Sequence, residues 1–253
     1  TTPFTLFGLA LAIFLAFRNT ASYARFDEAR HLWGNLLIAS RALTSQVLCY
    51  LPERTSPTDR TLLANRLIAF VYALKHQLRK TDPVPDLTRL LGAGQAEALR
   101  QKCYRPAVIL NDIRHQLAQL QGPASVSDTT RWMLDAQLNE LGKTVGGCER
   151  IASTPIPFAY GVLLHRTAYA YCMLLPFGLV DSTEFFTPLL CVFISYTLIA
   201  LEAIANEVAE PFGLAPNALA LDAITRTIER SILELCDRPL PEETVPQRPY
   251  QLT

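Results

Sequence analysis

The chain has 253 residues, half of them apolar and only 18% charged, which is too apolar for an ordinary soluble domain and too polar for a pure membrane bundle. Lysine plus arginine and aspartate plus glutamate number 23 each, so no overall field draws in nucleic acid, and any charge selectivity must be local. Six cysteines without CxxC spacing and four histidines without HExxH or paired spacing argue against a zinc site, a disulfide framework or a catalytic triad; the cysteines read as buried thiols and the histidines as structural.

The first element is the run from Pro3 to Trp33, where an apolar helix passes without a break into a charged one. Its apolar part, Phe4 to Phe17, is short of the roughly 20 residues that span hydrocarbon. No proline lies between Leu9 and Trp33, and Leu9, Ile13 and Phe17 recur every four residues. One long helix therefore carries a single apolar stripe from a membrane into water, as a pore-lining helix does, although the same stripe also serves ordinary helix packing.

From Thr58 to about Gly122 the pattern reads as two or three amphipathic helices. Leu62, Leu63, Leu67, Ile68, Phe70, Val71 and Leu74 form one face, and TDPVPD (Thr81 to Asp86) breaks it, with Asp86 as the fresh N-cap. GPASVSD (Gly122 to Asp128) is a second break, after which Thr129 to Ile151 resumes helix with Met133, Leu134, Leu138, Leu141 and Val145 inward. No period-2 run is long enough for a sheet, so the chain is expected to be all-α.

Phe158 to Val180 and Phe185 to Leu201 are two further candidate spans, joined at the polar turn Asp181 to Glu184 as an antiparallel hairpin. Arg166 lies inside the first of them and is costly unless paired, so Glu202, at its level on the partner helix, is expected to pair with it; direct contact with a conducted ion is the alternative. A last amphipathic helix runs from Leu219 to Leu235 through Leu221, Ile224, Ile228, Ile232 and Leu235. The tail DRPLPEETVPQRPYQLT, with four prolines, cannot continue as helix and is either disordered or an extended strap.

Four blocks carry a family resemblance. Leu9, Ala12, Ile13, Phe14, Leu15, Phe17, Arg18, Asn19, Ser22, Tyr23, Arg25, Glu28, Ala29, Arg30, Leu32, Trp33 and Gly34 form the first; GCERIASTPIPFAY (Gly147 to Tyr160), LLHRT (Leu163 to Thr167) and NEVAEPFG (Asn206 to Gly213) are the others. Together they resemble the bacterial branch of the bestrophin ion channels. The resemblance implies an all-α, multi-pass protein of the bacterial inner membrane, a pentameric channel whose transmembrane helices continue into a cytoplasmic helical bundle. It also implies a division into a pore-lining helix with its extension (1–30), a cytoplasmic helical region (31–157), a transmembrane hairpin (158–205) and a C-terminal cytoplasmic helix with a tail strapped over a neighbouring subunit (206–253). The family has four membrane helices and three candidates are present, so the first is expected to precede Thr1.

By the same resemblance Leu9, Ile13 and Phe17 form a hydrophobic neck, which can gate by dewetting. A second, cytoplasmic aperture falls at Thr130, or at Thr129 if the register slips by one; a ring of hydroxyls there is more polar than the Ile or Val of many relatives. Asp27, Glu28 and Asp128 are candidate pore charges, each otherwise a solvated surface charge. The bacterial resemblance implies monovalent cations (Na+ or K+), with chloride or another anion as the alternative. Animal members bind calcium through acidic residues after PFG, whereas Leu214 to Asp222 here offers Asp222 alone, so no metal, cofactor or nucleic-acid partner is expected. The partners are further copies of the chain, the lipid bilayer and inorganic ions. A membrane-anchored scaffold without conductance is the rival from another class, and an enzyme is the weakest reading, since no acid, base and nucleophile share a usable spacing.

Overall fold

The computed structural model describes residues 2–51, 56–120 and 127–245. In chain order the helices are α1 (Thr2–Tyr50), α2 (Pro57–Arg79), α3 (Val84–Leu91), α4 (Ala93–Arg100), α5 (Arg105–Leu120), α6 (Asp128–Ser153), α7 (Phe158–Thr183), a 3-10 turn (Glu184–Phe186), α8 (Thr187–Val208) and α9 (Leu221–Leu235). No strand occurs among the described residues.

The chain divides into two compact units. Unit 1 holds residues 1–28 and 153–218, and unit 2 holds 29–152 and 219–253, so α1 contributes to both. Residues 206–218 group with the hairpin, and α9 and the tail group with α2 to α6.

In unit 1 the apolar stretches are longer than their sequence patterns suggest. α1 continues well past Phe17 because nothing from Leu9 to Tyr50 interrupts it; its 49 residues give a rod of about 74 Å. α7 and α8, at 26 and 22 residues, each exceed the roughly 30 Å of a hydrocarbon core. The polar turn at Asp181 to Glu184 is displaced. Asp181, Ser182 and Thr183 stay helical, and the reversal occurs at Glu184–Phe186, with Glu184 at φ +41°.

Most of these surfaces face outward, including Phe158, Phe177, Phe185 and Phe193. The few inward contacts are close. Leu11 and Leu15 pack on Leu164 and Ala168, and Phe4 stacks on Tyr171 with ring centroids 4.7 Å apart. Gly8 and Gly178 permit this approach, since a methyl group on Gly178 would stand 2.7 Å from the Phe4 ring and one on Gly8 would collide with Tyr171.

Unit 2 is built around α2, whose residues 67–75 are all buried beneath α3, α5 and α9. Ser56 caps α2, its Oγ accepting from the Asp59 amide at 3.1 Å, with Pro57 at the first helical position. The helix ends at Lys80 in the left-handed conformation. The region expected to hold two or three helices holds four among the described residues, because Gly92 at φ +86° separates α3 from α4 and the segment before Arg105 separates α4 from α5.

Asp86 is not the cap of α3. Val84 N–H donates to Asp82 Oδ1 at 3.1 Å, while Asp86, inside the helix, pairs with His76 Nε2 at 2.9 Å. Trp33 is fully buried in this unit and Trp132 is exposed.

The inward face of α9 is rotated from the expected stripe: Leu235 is exposed, while Thr225 and Glu229 are buried. Glu229 receives hydrogen bonds from Tyr72 Oη (2.6 Å), Arg89 Nη1 (2.6 Å) and Arg226 Nη1 (2.8 Å), so its burial is satisfied. The described tail, to Val245, is anchored on its own chain. Arg230 donates to Pro241 O and pairs with Glu243 at 2.9 Å, and Arg238 donates to Asn65. Cys148 is buried, but Cys49, at the C-terminal end of α1, and Cys103, in the connection between α4 and α5, are exposed, which corrects the reading of all six as buried thiols.

Candidate functional site

The first half of α1 has two opposed faces. At about 100° per residue, Leu9, Ile13 and Phe17 span roughly 80° of the helix, while Leu11, Leu15, Arg18 and Ser22 centre on a direction roughly 170° away. The second set is buried in unit 1; the first is 58%, 47% and 63% exposed. The stripe is therefore not the packing face of the helix within its own chain.

What holds that rotation is a polar clamp. Arg18, buried one residue after Phe17, donates from Nη2 to Asn206 Oδ1 on α8 and places Nη1 3.6 Å from Glu202 Oε1. Glu202, itself buried, is reached from the other side by His165 Nδ1 of α7 at 2.9 Å. Seven residues along α1, Arg25 Nε donates to Ala209 O at 3.0 Å and Nη1 to Thr154 O. Two arginines thus tie α1 to α8 and to the segment preceding α7. Charged hydrogen bonds of this kind are worth about 1.5–3 kcal/mol each where water is scarce.

The expected Arg166–Glu202 pair is not formed. His165 and Arg166 are adjacent and so point about 100° apart; His165 takes the direction of α8, and Arg166 is left exposed. The guanidinium beside Glu202 is that of Arg18, from a different helix.

Thr129 and Thr130, expected at a cytoplasmic aperture, lie at the start of α6. Ser127 caps that helix, its Oγ accepting from the Thr130 amide at 3.2 Å and lying 3.0 Å from the Thr130 hydroxyl. Thr130 is half-buried with its hydroxyl engaged, whereas Thr129 is exposed. Most of the break before it, 121–126, lies outside the described residues. Asp128 is exposed, 3.9 Å from Arg131; Asp27 is half-buried and Glu28 exposed on α1. Among the described residues no cluster of three or more His, Cys, Asp or Glu is arranged to hold a metal.

Comparison with known proteins gives one consistent result. Residues 1–234 match the family described as Bacterial/Fungal Bestrophin protein. The chain is 44% identical over 239 residues to a voltage-dependent anion channel-forming protein of Ralstonia nicotianae, covering 94% of this chain and 78% of that one. It is 42% identical over 252 residues to a protein of the same description from Escherichia coli K12, covering 99% and 82%. A crystal structure of a bacterial bestrophin homologue from Klebsiella pneumoniae superposes with a TM-score of 0.90 at 44% identity, covering 94% of this chain and 88% of that chain. With the helical spans, the outward apolar stripe and these matches in agreement, the chain belongs to the bacterial/fungal bestrophin family and is an all-α ion channel of the bacterial plasma membrane, not an enzyme.

Proposed function

We propose that this chain assembles as a homopentamer in which five copies of α1 enclose a hydrophobic neck at Leu9, Ile13 and Phe17, and that the conducted ions are anions such as chloride. The observation that carries the neck is the stripe itself: three large apolar side chains exposed on the face of α1 opposite to its buried face, rotationally held by Arg18 and Arg25. Fifteen such side chains around one axis leave a poorly wetted path, and cyclic symmetry lets identical helices close it. In this reading residues 31–157 form the cytoplasmic helical region and 158–205 the transmembrane hairpin. The second aperture belongs to the start of α6. The engagement of the Thr130 hydroxyl by Ser127 favours Thr129 as the side chain that meets the ions, with Thr130 supporting it.

The ion sign rests on the descriptions of the Ralstonia and Escherichia relatives as anion channel-forming proteins, which support the anion alternative over the cations implied by the bacterial resemblance. The second reading, Na+ or K+, is favoured by Asp128, whose exposed carboxylate stands next to the aperture residues. Reversal potentials of the full-length protein in planar bilayers under a KCl gradient decide between them. A shift toward the chloride equilibrium potential supports the proposal; a shift toward that of potassium overturns it in favour of cations. Native mass spectrometry should show five chains. A monomer or dimer without conductance would return the protein to the scaffold reading.

A further inference from the structure

Neither the neck nor the aperture uses a cavity of about 610 Å3 in unit 1, which opens at the N-terminal end of α7. That volume lies within the range of small-molecule sites and exceeds what a single small inorganic ion fills.

Two guanidinium groups, Arg18 and Arg166, share the lining with two carboxylates, Glu202 and Glu210, and the positive groups lie beside the N-terminus of α7. The first turn of α7 contains no acidic residue and receives no side-chain cap, since Pro157 precedes it, so the first amide N–H groups keep the partial positive charge of a 26-residue helix. The Arg18 guanidinium lies against this turn: a methyl group built on Gly161 would stand 3.5 Å from Arg18 Nη2. The Arg18 side chain is only 9% exposed, yet its Nε and Nη1 have no hydrogen-bond acceptor among the described residues; the nearest carboxylate oxygen, of Glu202, is 3.6 Å from Nη1. Buried guanidinium donors are seldom left this way. Arg166, displaced from Glu202 by His165, lines the same cavity and has no ion-pair partner among the described residues. Of the two carboxylates in the lining, Glu202 is held by Arg18 and His165, and Glu210, two residues past the end of α8, is exposed to solvent.

We propose that this cavity binds a phosphate-bearing anion. Arg166 and the first amides of α7 are its direct recognition groups, and Arg18 supplies the buried positive charge behind them. A phosphate oxygen accepts from a guanidinium fork and from helix N-terminal amides with the same geometry, which is why those two groups recur together at phosphate sites. The phosphate has two sources: the headgroup of an acidic phospholipid, whose chains would lie along the exposed Phe158 and Leu163, or a free phosphate from solution.

The test uses the purified full-length protein in mild detergent and reads binding rather than current, so its outcome is independent of which ion the channel conducts. Thermal unfolding midpoints and lipid retention in native mass spectra are measured with phosphatidylglycerol, phosphatidylcholine and inorganic phosphate. Phosphatidylglycerol should raise the midpoint and be retained, phosphatidylcholine should not, and R166Q should weaken the effect about tenfold while R166K weakens it less. An Arg166-dependent shift with inorganic phosphate alone assigns the site to free phosphate instead of a headgroup. Equal effects of the two lipids, an unchanged response in R166Q, or no response to any of the three overturns the proposal. Arg166 is exposed, so its substitution leaves the fold intact, and the basal midpoint of R166Q verifies this directly.

Discussion

The two units place their apolar side chains in opposite ways. Unit 2 buries most of its large apolar side chains, with Trp33, Phe70, Leu67 and Ile113 fully buried, and its buried carboxylate Glu229 is surrounded by Tyr72, Arg89 and Arg226. Unit 1 displays them, burying little beyond Leu11, Leu15, Leu164 and Ala168 and leaving rings such as Phe177 and Phe185 outward. The difference is one of solvent. Lipid tails are as apolar as leucine, so apolar burial inside unit 1 brings little, and close packing with a few polar ties does the holding. In water the same outward surface would drive association.

Five measurements break or sharpen this contrast. The largest effect is expected for Glu229→Ala, which removes the buried acceptor of Tyr72 Oη and of the part-exposed Arg89 and Arg226 guanidinium groups; a loss of about 3 kcal/mol of unfolding free energy is expected. A loss below about 1 kcal/mol would show that water reaches this network. Next, Leu67→Ala should cost about 2–5 kcal/mol, whereas Leu9→Ala, an equal truncation on the exposed stripe of unit 1, should leave stability within about 0.5 kcal/mol. Replacing Leu9, Ile13 and Phe17 together by alanine should instead raise single-channel conductance or open time severalfold. Unaltered currents would mean that the stripe faces lipid or protein.

A smaller effect concerns acid. Burial alone raises the carboxyls of Asp86 and Asp222, but hydrogen bonds and charges from His76, Lys75 and Arg89 for the first, and from Lys75 and Arg79 for the second, outweigh it and hold both below the ordinary range. A carboxyl lowered in the folded state stabilises the fold fully above its unfolded pKa of about 3.9 and ceases to do so as pH falls through the lower, folded value. The unfolding midpoint should therefore be flat from about pH 7 to 5 and fall below about pH 4. Asp222→Asn should lower the plateau and flatten the acid limb; an unchanged limb would remove Asp222 from the account. The smallest effect is expected at the aperture, where Thr129→Ile should reduce conductance more than Thr130→Ile. The reverse order would restore Thr130 as the ion-facing position.

What could be read from the sequence follows from which interactions are local. Leu9, Ile13 and Phe17 stand out because a four-residue recurrence is a property of one helix, and the break at TDPVPD because proline acts on its own backbone. The buried Arg18 could not be read, since an arginine following an apolar run resembles one placed at a membrane boundary; its partners, Glu202 and Asn206, are more than 180 residues away. His165 looked isolated for the same reason. On α9 the sequence pattern favours Leu235 over Glu229, and only the donors brought by α2, α3 and α9 itself make a buried glutamate tolerable.

The distribution of indole rings has an optical consequence. The chain contains two tryptophans, Trp33 and Trp132, both in unit 2, while unit 1 carries tyrosines such as Tyr160, Tyr169, Tyr171 and Tyr196. Trp33 is 1% exposed and Trp132 73%. Light absorbed selectively by indole therefore reports on unit 2 alone, with a blue-shifted, quencher-resistant component from Trp33 and a red-shifted, quenchable one from Trp132. Red-edge excitation with a water-soluble quencher separates the loss of the unit 2 core from events at the start of α6, without a label and without a contribution from α7 and α8.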